Sequence, residues 1–449
     1  MSIFLLPKIS YEIKDEDIKF KMVESTPGPF ISNSLYEMLS KTKLQIEPIE
    51  NSWDNFKKLT NPYEFIHTVV PGCKTQVSRM KPLSRSFYKM VEICTQFNLC
   101  HSGNNNNNSN DVINDIFTSS SSSGNCGNVG NNHSHNNQNN TFMHFVVPDS
   151  VSLAGQQSAS SKMTSFHLAE GPGGFIEAVC FMRKNPNDVY YGMTLVNSNS
   201  KCPGWKKSKT FLEENPNVII EKGIDETGNL LSIENFKHCY EKYGGKIDFI
   251  TGDGGVDFSE NFNNQEHTAT KLIIAQVIYA ISMQSTGGNF VLKVFDIFSN
   301  ATLDVLYLLS SLYKEVYIMK PNTSRYANSE KYIICKGFNA NNNENYIQDI
   351  VHSFYENFDN LTSDLNIESF FKFKHDRAYF TRIEEINAIF GQNQIENIIT
   401  TVNLIINKNT EKNEHLKRNN IQKCIQWCDK HGISHYKNIQ TVNIFLPFG

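Results

Sequence analysis

Four ionisable residues stand where a folded chain rarely places them without cause. Lys293 lies inside the apolar run Gly288-Asn289-Phe290-Val291-Leu292-Lys293-Val294-Phe295, where a cation is costly unless it is paired or gives up its proton. Asp253 follows the apolar stretch Ile247-Asp248-Phe249-Ile250 and precedes Gly254-Gly255, so it leaves a strand end. Glu330 stands at the mouth of KYIICKGF, and Lys89 lies in LSRSFYKMVEICTQF, four residues after Arg85. Singly, each has an ordinary reading: an edge-strand lysine, a turn aspartate, a surface glutamate, a solvated cationic helix flank. Together, two lysines and two carboxylates can hold a weakly nucleophilic hydroxyl in line and accept its proton as a bond forms. Lysine is a poor base at its reference pKa of about 10.4, but burial and a second cation both depress that value. In this reading Lys293 is the base and Lys89 the second cation, while Asp253 and Glu330 hold the geometry and balance the charge. Such groups titrate as a set.

A fifth segment, Leu168-Ala169-Glu170-Gly171-Pro172-Gly173-Gly174-Phe175, closes an apolar run and leads into a predicted helix over Ile176 to Met182. Glycines there let the backbone pass close to a ligand, and a helix N-terminus offers free N–H groups to a carboxylate or other anionic part of it. On this segment alone a plain tight turn is an equal alternative.

The elements that must position these residues are legible as short apolar runs: SFHLAEGPGGF, VYYGMTL, NVIIEKGID, KIDFITGDGG, GGNFVLKVFD, EVYIMKP and KYIICKGF. Helical stretches intervene, notably Thr268 to Met283 and Ala301 to Tyr313. That alternation predicts an α/β protein with a doubly wound parallel sheet, whose ligands bind beyond the carboxyl ends of the strands. The run LSRSFYKMVEICTQF predicts an amphipathic helix with a cationic edge, because Phe87, Met90, Val91 and Cys94 recur at helical spacing.

The chain has 449 residues, is 39% hydrophobic and carries a formal charge of −4, which supports a sizeable core and excludes a uniformly basic nucleic-acid binder. Any groove for a polyanion must therefore be a local patch. Ten cysteines without a regular framework point to free thiols in a reducing compartment. MSIFLLPKIS does not read as a signal peptide, and no apolar run has the length of a membrane span. A soluble nuclear or cytoplasmic protein is expected. Residues 1–60 read as an accessory N-terminal region and 61–338 as the main domain, interrupted by a disordered Asn/Ser-rich insertion at 103–140. An Asn-rich linker at 339–345 then leads to a small helical C-terminal region, 346–449. Cys424, Cys428 and His431 sit close together there, but without a fourth ligand they read as part of an amphipathic helix, and no metal is expected.

From about Leu83 to Phe338 the chain resembles the FtsJ-like (RrmJ-like) ribose 2′-O-methyltransferases, and within them the mRNA cap-specific branch. SRSFYKM is similar to the segment with the family's first lysine, EGPGGF to its cofactor loop, GDGG to the motif with its aspartate, NFVLKVFD to that with its lysine base, and KPNTSRYANSEKY to that with its closing glutamate. The resemblance implies a Rossmann-like S-adenosylmethionine-dependent fold and a catalytic set of Lys89, Asp253, Lys293 and Glu330. It implies cofactor contacts at Glu170, Gly171, Pro172, Gly173, Gly174, Phe175 and Asp253, and through GIDETGNL at Asp225, Asn229 and Leu230. RNA contacts are implied at Arg325 and Asn328. Two positions depart from the family pattern: His167 stands where bacterial relatives have an acidic residue, with Glu170 as its substitute, and Asn229 stands where many cap enzymes have Asp.

The substrate implied is capped mRNA, in company with capping or transcription machinery; ribosomal or transfer RNA, and a noncatalytic RNA-binding scaffold, are the alternatives. Single-stranded RNA is gripped by cations along its backbone and aromatic rings on its bases. Candidates are Lys81, Arg85, Lys206, Lys207, Lys320 and Arg325 as cations, with Trp53, Tyr63, Trp205 and Tyr326 as rings.

Overall fold

Two short strands, β1 (Ile3–Leu5) and β2 (Ile18–Val23), precede the helices α1 (Asn33–Leu44), α2 (Glu50–Thr60) and α3 (Ser86–Phe97). The central stretch then alternates: β3 (Thr164–Leu168), α4 (Gly174–Arg183), β4 (Val189–Met193), α5 (Lys209–Glu214), β5 (Val218–Glu221), α6 (Ile233–Tyr243), β6 (Ile247–Gly252), α7 (Gln265–Met283), β7 (Gln284–Val294), α8 (Asn300–Leu312), β8 (Tyr313–Met319) and β9 (Lys331–Phe338). α9 (Glu344–Glu356), β10 (Asn366–Phe371), α10 (Arg377–Asn407) and α11 (Thr410–Lys430) follow. This computed structural model describes residues 2–100, 161–196, 204–255, 264–339 and 344–436. The insertion expected at 103–140 lies outside the described residues, as does the middle of the linker expected at 339–345.

All seven apolar runs form strands of one eight-stranded sheet, in the order β1-β8-β9-β7-β6-β3-β4-β5. β3 pairs in parallel with β4 and β6, β4 with β5, and β6 with β7. β9 runs antiparallel between β7 and β8. The strand order reverses between β3 and β6, and in an open α/β sheet that switch point opens the ligand crevice at the strands' carboxyl ends. The doubly wound α/β architecture is thus as the sequence predicts, but the sheet is mixed and not wholly parallel, because β1 and β9 run antiparallel to their neighbours. Burial on both faces explains the consecutive buried positions 249–252 of β6 and 290–292 of β7. α7 is apolar almost all round because it is covered by the sheet on one side and by α6 and α9 on the other.

The segments set apart on sequence as an N-terminal accessory region and a helical C-terminal region are joined by strands, the first to this sheet and each to the other in a separate two-stranded sheet. β1 extends the eight-stranded sheet along β8, and β2 pairs antiparallel with β10. The join is fixed by Asp304 of α8, which is 1% exposed. Its carboxylate accepts the N–H groups of Phe370 at 2.7 Å and Phe371 at 3.3 Å, and meets His375 Nε2 at 2.5 Å. Removing one partner of such a buried pair typically costs about 3–5 kcal/mol. Asp304→Ala is therefore expected to lower the urea midpoint by the equivalent of about 3 kcal/mol; an unchanged midpoint would refute this role for the node.

α3 departs from expectation. It is a buried helix, with Phe87 through Cys94 all enclosed, so it has no solvated cationic edge at Lys89. Phe87 packs on Phe181 of α4 at 5.6 Å, and Tyr88 meets Trp427 of α11 at 5.9 Å, so the flank expected to face water faces a helix. The two charges inside it are tolerated because each is bonded: Lys89 to Glu330, and Glu92 to the N–H groups of Asn322 and Thr323.

Candidate active site

Lys89, Asp253, Lys293 and Glu330 come from four separate elements and meet at one edge of the sheet, beside the switch point. They form two ion pairs, Lys89 Nζ to Glu330 Oε1 at 2.6 Å and Lys293 Nζ to Asp253 Oδ1 at 3.0 Å. Lys293 also donates to the Asp253 carbonyl at 2.8 Å, while the Asp253 N–H is held by the Leu168 carbonyl at 3.2 Å. The end of β6 is thereby fixed on both sides. Lys293 faces Tyr332 across the β7–β9 ladder, whereas its neighbour Val294 faces Lys331. Alternation along the strands thus puts Lys293 and Tyr332 on one face and Lys331 on the other.

The two pairs differ in access to solvent. The side chains of Lys293 and Asp253 are 13% and 19% exposed, against 5% and 10% for Lys89 and Glu330. The outer pair can touch a substrate; the inner one supports it. Burial by itself would raise the Glu330 carboxyl, but Lys89, Lys293 and Arg85 together hold it well below the usual range. Burial draws Lys89 below the ordinary lysine value, against the pull of Glu330, and the Tyr332 ring lies 6.0 Å beneath its ammonium. Ser324, which local sequence did not single out, donates to Glu330 Oε1 at 2.9 Å.

The glycine loop folds at the ends of β3 and β4. Glu170 takes the Met193 carbonyl through its N–H at 3.2 Å, and its Oε1 accepts the N–H groups of Phe175 at 2.7 Å and Ile176 at 3.1 Å. This corrects the expectation that the α4 N-terminus offers those N–H groups to an anionic ligand: a carboxylate of the chain already caps them. The other oxygen, Glu170 Oε2, is buried without a partner among the described residues. Burial, aided by the nearby Asp253 charge, pushes this carboxyl well above its usual range. Gly173 adopts φ +108°, and a Cβ on Gly174 would overlap Ser84 Oγ and Ser86 Oγ, so α4 and the start of α3 approach as only glycine permits. His167 lies deeper, its Nε2 on Ser165 Oγ at 2.9 Å and its Nδ1 on Thr251 Oγ1 at 2.8 Å, with burial lowering it to about 3. It is a neutral cross-strand link.

The loop carrying Asp225, Asn229 and Leu230 packs against the end of β4, where the Val196 N–H reaches the Thr227 carbonyl at 2.6 Å. Asp225 is exposed and bonded to Thr227 and Asn235, Asn229 is half-buried with its amide oxygen on the Leu231 N–H, and Leu230 is buried in the main core. Leu230 therefore has little surface of its own to offer a ligand.

The candidate RNA contacts divide. Arg325 is gripped by Glu64 through two bonds, at 3.0 and 2.6 Å, so its charge is already matched. Lys320 donates to the Asn328 carbonyl, the Asn328 amide oxygen and the Glu330 carbonyl at 2.6, 2.9 and 2.8 Å. Its ammonium thus pins the 321–330 loop from inside instead of reaching outward. Trp53 is buried with Ile398 and Ile405, and Trp205 lies over Gly173 and Gly192, so neither forms an open stacking platform. Lys81, Lys206 and Lys207 are exposed, and Tyr63 and Tyr326 are half-buried. Glu64 had no local signal, since it precedes its arginine by 261 residues. Cys424 and Cys428 are buried, Cys424 donating to the Pro62 carbonyl at 3.3 Å. Among the described residues no helix is long and apolar enough to cross a membrane.

Residues 153–338 match the family model of the FtsJ-like methyltransferases. A cap-specific mRNA (nucleoside-2′-O-)-methyltransferase 2 of Drosophila melanogaster is 30% identical over 190 residues, 39% of this chain and 27% of that protein. A cap-specific mRNA (nucleoside-2′-O-)-methyltransferase 1 of Trypanosoma brucei brucei is 29% identical over 249 residues, 54% of this chain and 65% of that protein. A protein of the same description from Dictyostelium discoideum is 33% identical over 191 residues, 38% of this chain and 25% of that protein. The chain thus spans less than two thirds of the length of each of these relatives. Among solved structures, a ribosomal RNA methyltransferase from Plasmodium falciparum matches 39% of this chain and 86% of its own at 19% identity and a TM-score of 0.28. The fold assignment rests on the strand order itself.

Proposed function

We propose that this chain, which carries an FtsJ-like methyltransferase domain at residues 153–338, transfers a methyl group from S-adenosylmethionine to the ribose 2′-hydroxyl of a cap-proximal nucleotide in mRNA. The observation that carries this reading is the pair of ion pairs at the sheet's switch point, an outer one open to substrate and an inner one that anchors it.

The residues present fit such a donor. Glu170 Oε2 is a buried acceptor without a partner among the described residues, suited to the donor's ammonium, and a cation arriving there would restore the carboxylate charge that burial opposes. The half-buried Gly171 would let the donor pass close to the backbone, while Asp225, exposed, and Asn229, half-buried, would meet its adenosine. The bound donor supplies an activated methyl group. Lys293, aligned by the side chain and carbonyl of Asp253, would orient the 2′-hydroxyl and, in its amine form, take up the proton as the oxygen–carbon bond forms. Asp253 then balances the ammonium produced. Lys89 and Glu330 keep the floor of the site rigid, and Arg325 and Asn328 shape the loop that borders it. The nucleus and the capping or transcription machinery would be its setting and partners.

The test is transfer of label from the methyl donor to RNAs of matched sequence with and without a cap, followed by mapping of the methylated ribose. Label at a cap-proximal 2′-oxygen of the capped RNA alone is expected. Equal labelling without a cap would favour ribosomal or transfer RNA, and donor binding without transfer to any RNA would leave a noncatalytic scaffold.

A further inference from the structure

α11 carries Lys423 and Lys430 two turns apart on one flank, both exposed, with no hydrogen bond or ion pair among the described residues. Two cavities open beside them and share Lys423. One, of about 540 Å³, is bordered by Tyr326 and Asn328 of the 321–330 loop and by Asn397 of α10. The other, of about 340 Å³, is bordered by Tyr63, Glu92, Asn322, Trp427, Lys430 and His431.

Each cavity is bordered by a residue with a buried polar atom that finds no partner among the described residues: Asn397 Oδ1 in the first and Trp427 Nε1 in the second. These residues are 9% and 4% exposed, and buried groups without a partner are rare enough to need a reason. His431 lies against the Trp427 ring at 4.3 Å, and burial lowers its imidazole to about 4, so at neutral pH it is an uncharged ring. Glu92 adds no free anion, because its oxygens accept from Asn322 N–H at 2.8 Å and from Thr323 N–H and hydroxyl at 3.1 and 3.0 Å. Cations on the flank and rings and amides within suit a polyanion whose repeating units carry flat bases, although the exposed Glu396 of the first cavity is matched by no cation among the described residues and accepts from Gln392.

Position narrows the choice. Glu92 lies one turn beyond Lys89 on α3, and the loop that borders both cavities continues into Glu330. We propose that the groove between α11 and the 321–330 loop holds the single-stranded stretch of RNA flanking the methylated ribose, with its phosphates on Lys423 and Lys430 and a base against Tyr63 and His431. This rests on the reading of RNA as substrate and extends it to α11, which lies beyond the segment matched by the family model.

The test uses the full chain with the exposed lysines replaced together, Lys423→Ala with Lys430→Ala, and a capped single-stranded RNA about ten nucleotides long. Loss of two phosphate contacts is expected to raise KM about tenfold and to reduce the slope of log affinity against log salt by about 1.4. kcat, donor affinity and melting temperature stay as in the wild type, and the Lys→Arg double variant restores KM. Unchanged KM and salt slope, in a preparation whose wild type methylates RNA, overturn the groove and leave the function standing. A wild type that binds the RNA with this lysine dependence but transfers no methyl supports the groove and overturns the function. A wild type that binds no RNA overturns both.

Discussion

Lys293→Ala is expected to lower kcat by about three orders of magnitude, in the range usual for loss of a positioned acid–base group, while donor affinity changes less than about threefold. The side chain is 13% exposed and is held at two points by Asp253, so its removal opens space at the reacting edge without disturbing the glycine loop on β3. Asp253 remains tethered through its N–H to Leu168. Lys293→Arg separates two explanations: guanidinium keeps the positive charge but does not deprotonate in proteins. An arginine variant as inactive as the alanine one assigns Lys293 to proton transfer; recovery of most activity assigns it to charge alone. Single-turnover transfer together with equilibrium dialysis of the donor makes the measurement. An alanine variant within tenfold of wild-type turnover would sink the assignment.

Glu330→Gln is expected to destabilise the protein by about 3–5 kcal/mol at neutral pH, because it leaves the Lys89 ammonium buried without its counter-ion. The pH dependence follows from the direction of the shift. The folded-state carboxyl lies below its unfolded value of about 4.3, held there by Lys89, Lys293 and Arg85 against the effect of burial. Its stabilisation is therefore complete above the unfolded value and is lost as pH falls through the folded one. The gap between wild type and Glu330→Gln should be widest near pH 7 and should narrow in strong acid. Urea midpoints measured from pH 7 downward decide it, and a gap independent of pH would overturn the charged pair. Activity falls as well, since Lys89 of α3 and Ser324 of the 321–330 loop meet at this carboxylate.

What sequence could reveal here was set by sequence separation. The strands β3 to β9 announced themselves because each is a local apolar run between turn residues, and Asp253, Lys293 and Glu330 stand out as charges at their ends. β1, β2 and β10 gave no comparable signal: they are short or mixed in polarity, and become strands only through partners hundreds of residues away. For the same reason α3 read as amphipathic. Its second buried flank is made by Trp427 and Glu330, neither of which its own periodicity can indicate. The Arg325–Glu64 and Lys320–Asn328 bonds show the complementary error, in which a cation's type was visible and its partner was not. Glu170 was visible as a loop residue, but its role as the cap of α4 depends on the turn at Ala169, which takes φ +53°.

The pairing of β2 with β10 also bears on how the molecule is made. At a synthesis rate of about 5–20 residues per second, β10 leaves the ribosome about 20–70 seconds after β2. For that interval Phe20 and Met22, which end up packed against the main core, have no cover from Phe370 or α9. Lys89 likewise waits for Glu330. A nascent chain in this state presents an unpaired strand and a half-built helix layer, which are the features that make folding intermediates adhere to one another. The interlock of β2 with β10 makes the unfinished protein dependent on protection until the last third of the chain has been translated.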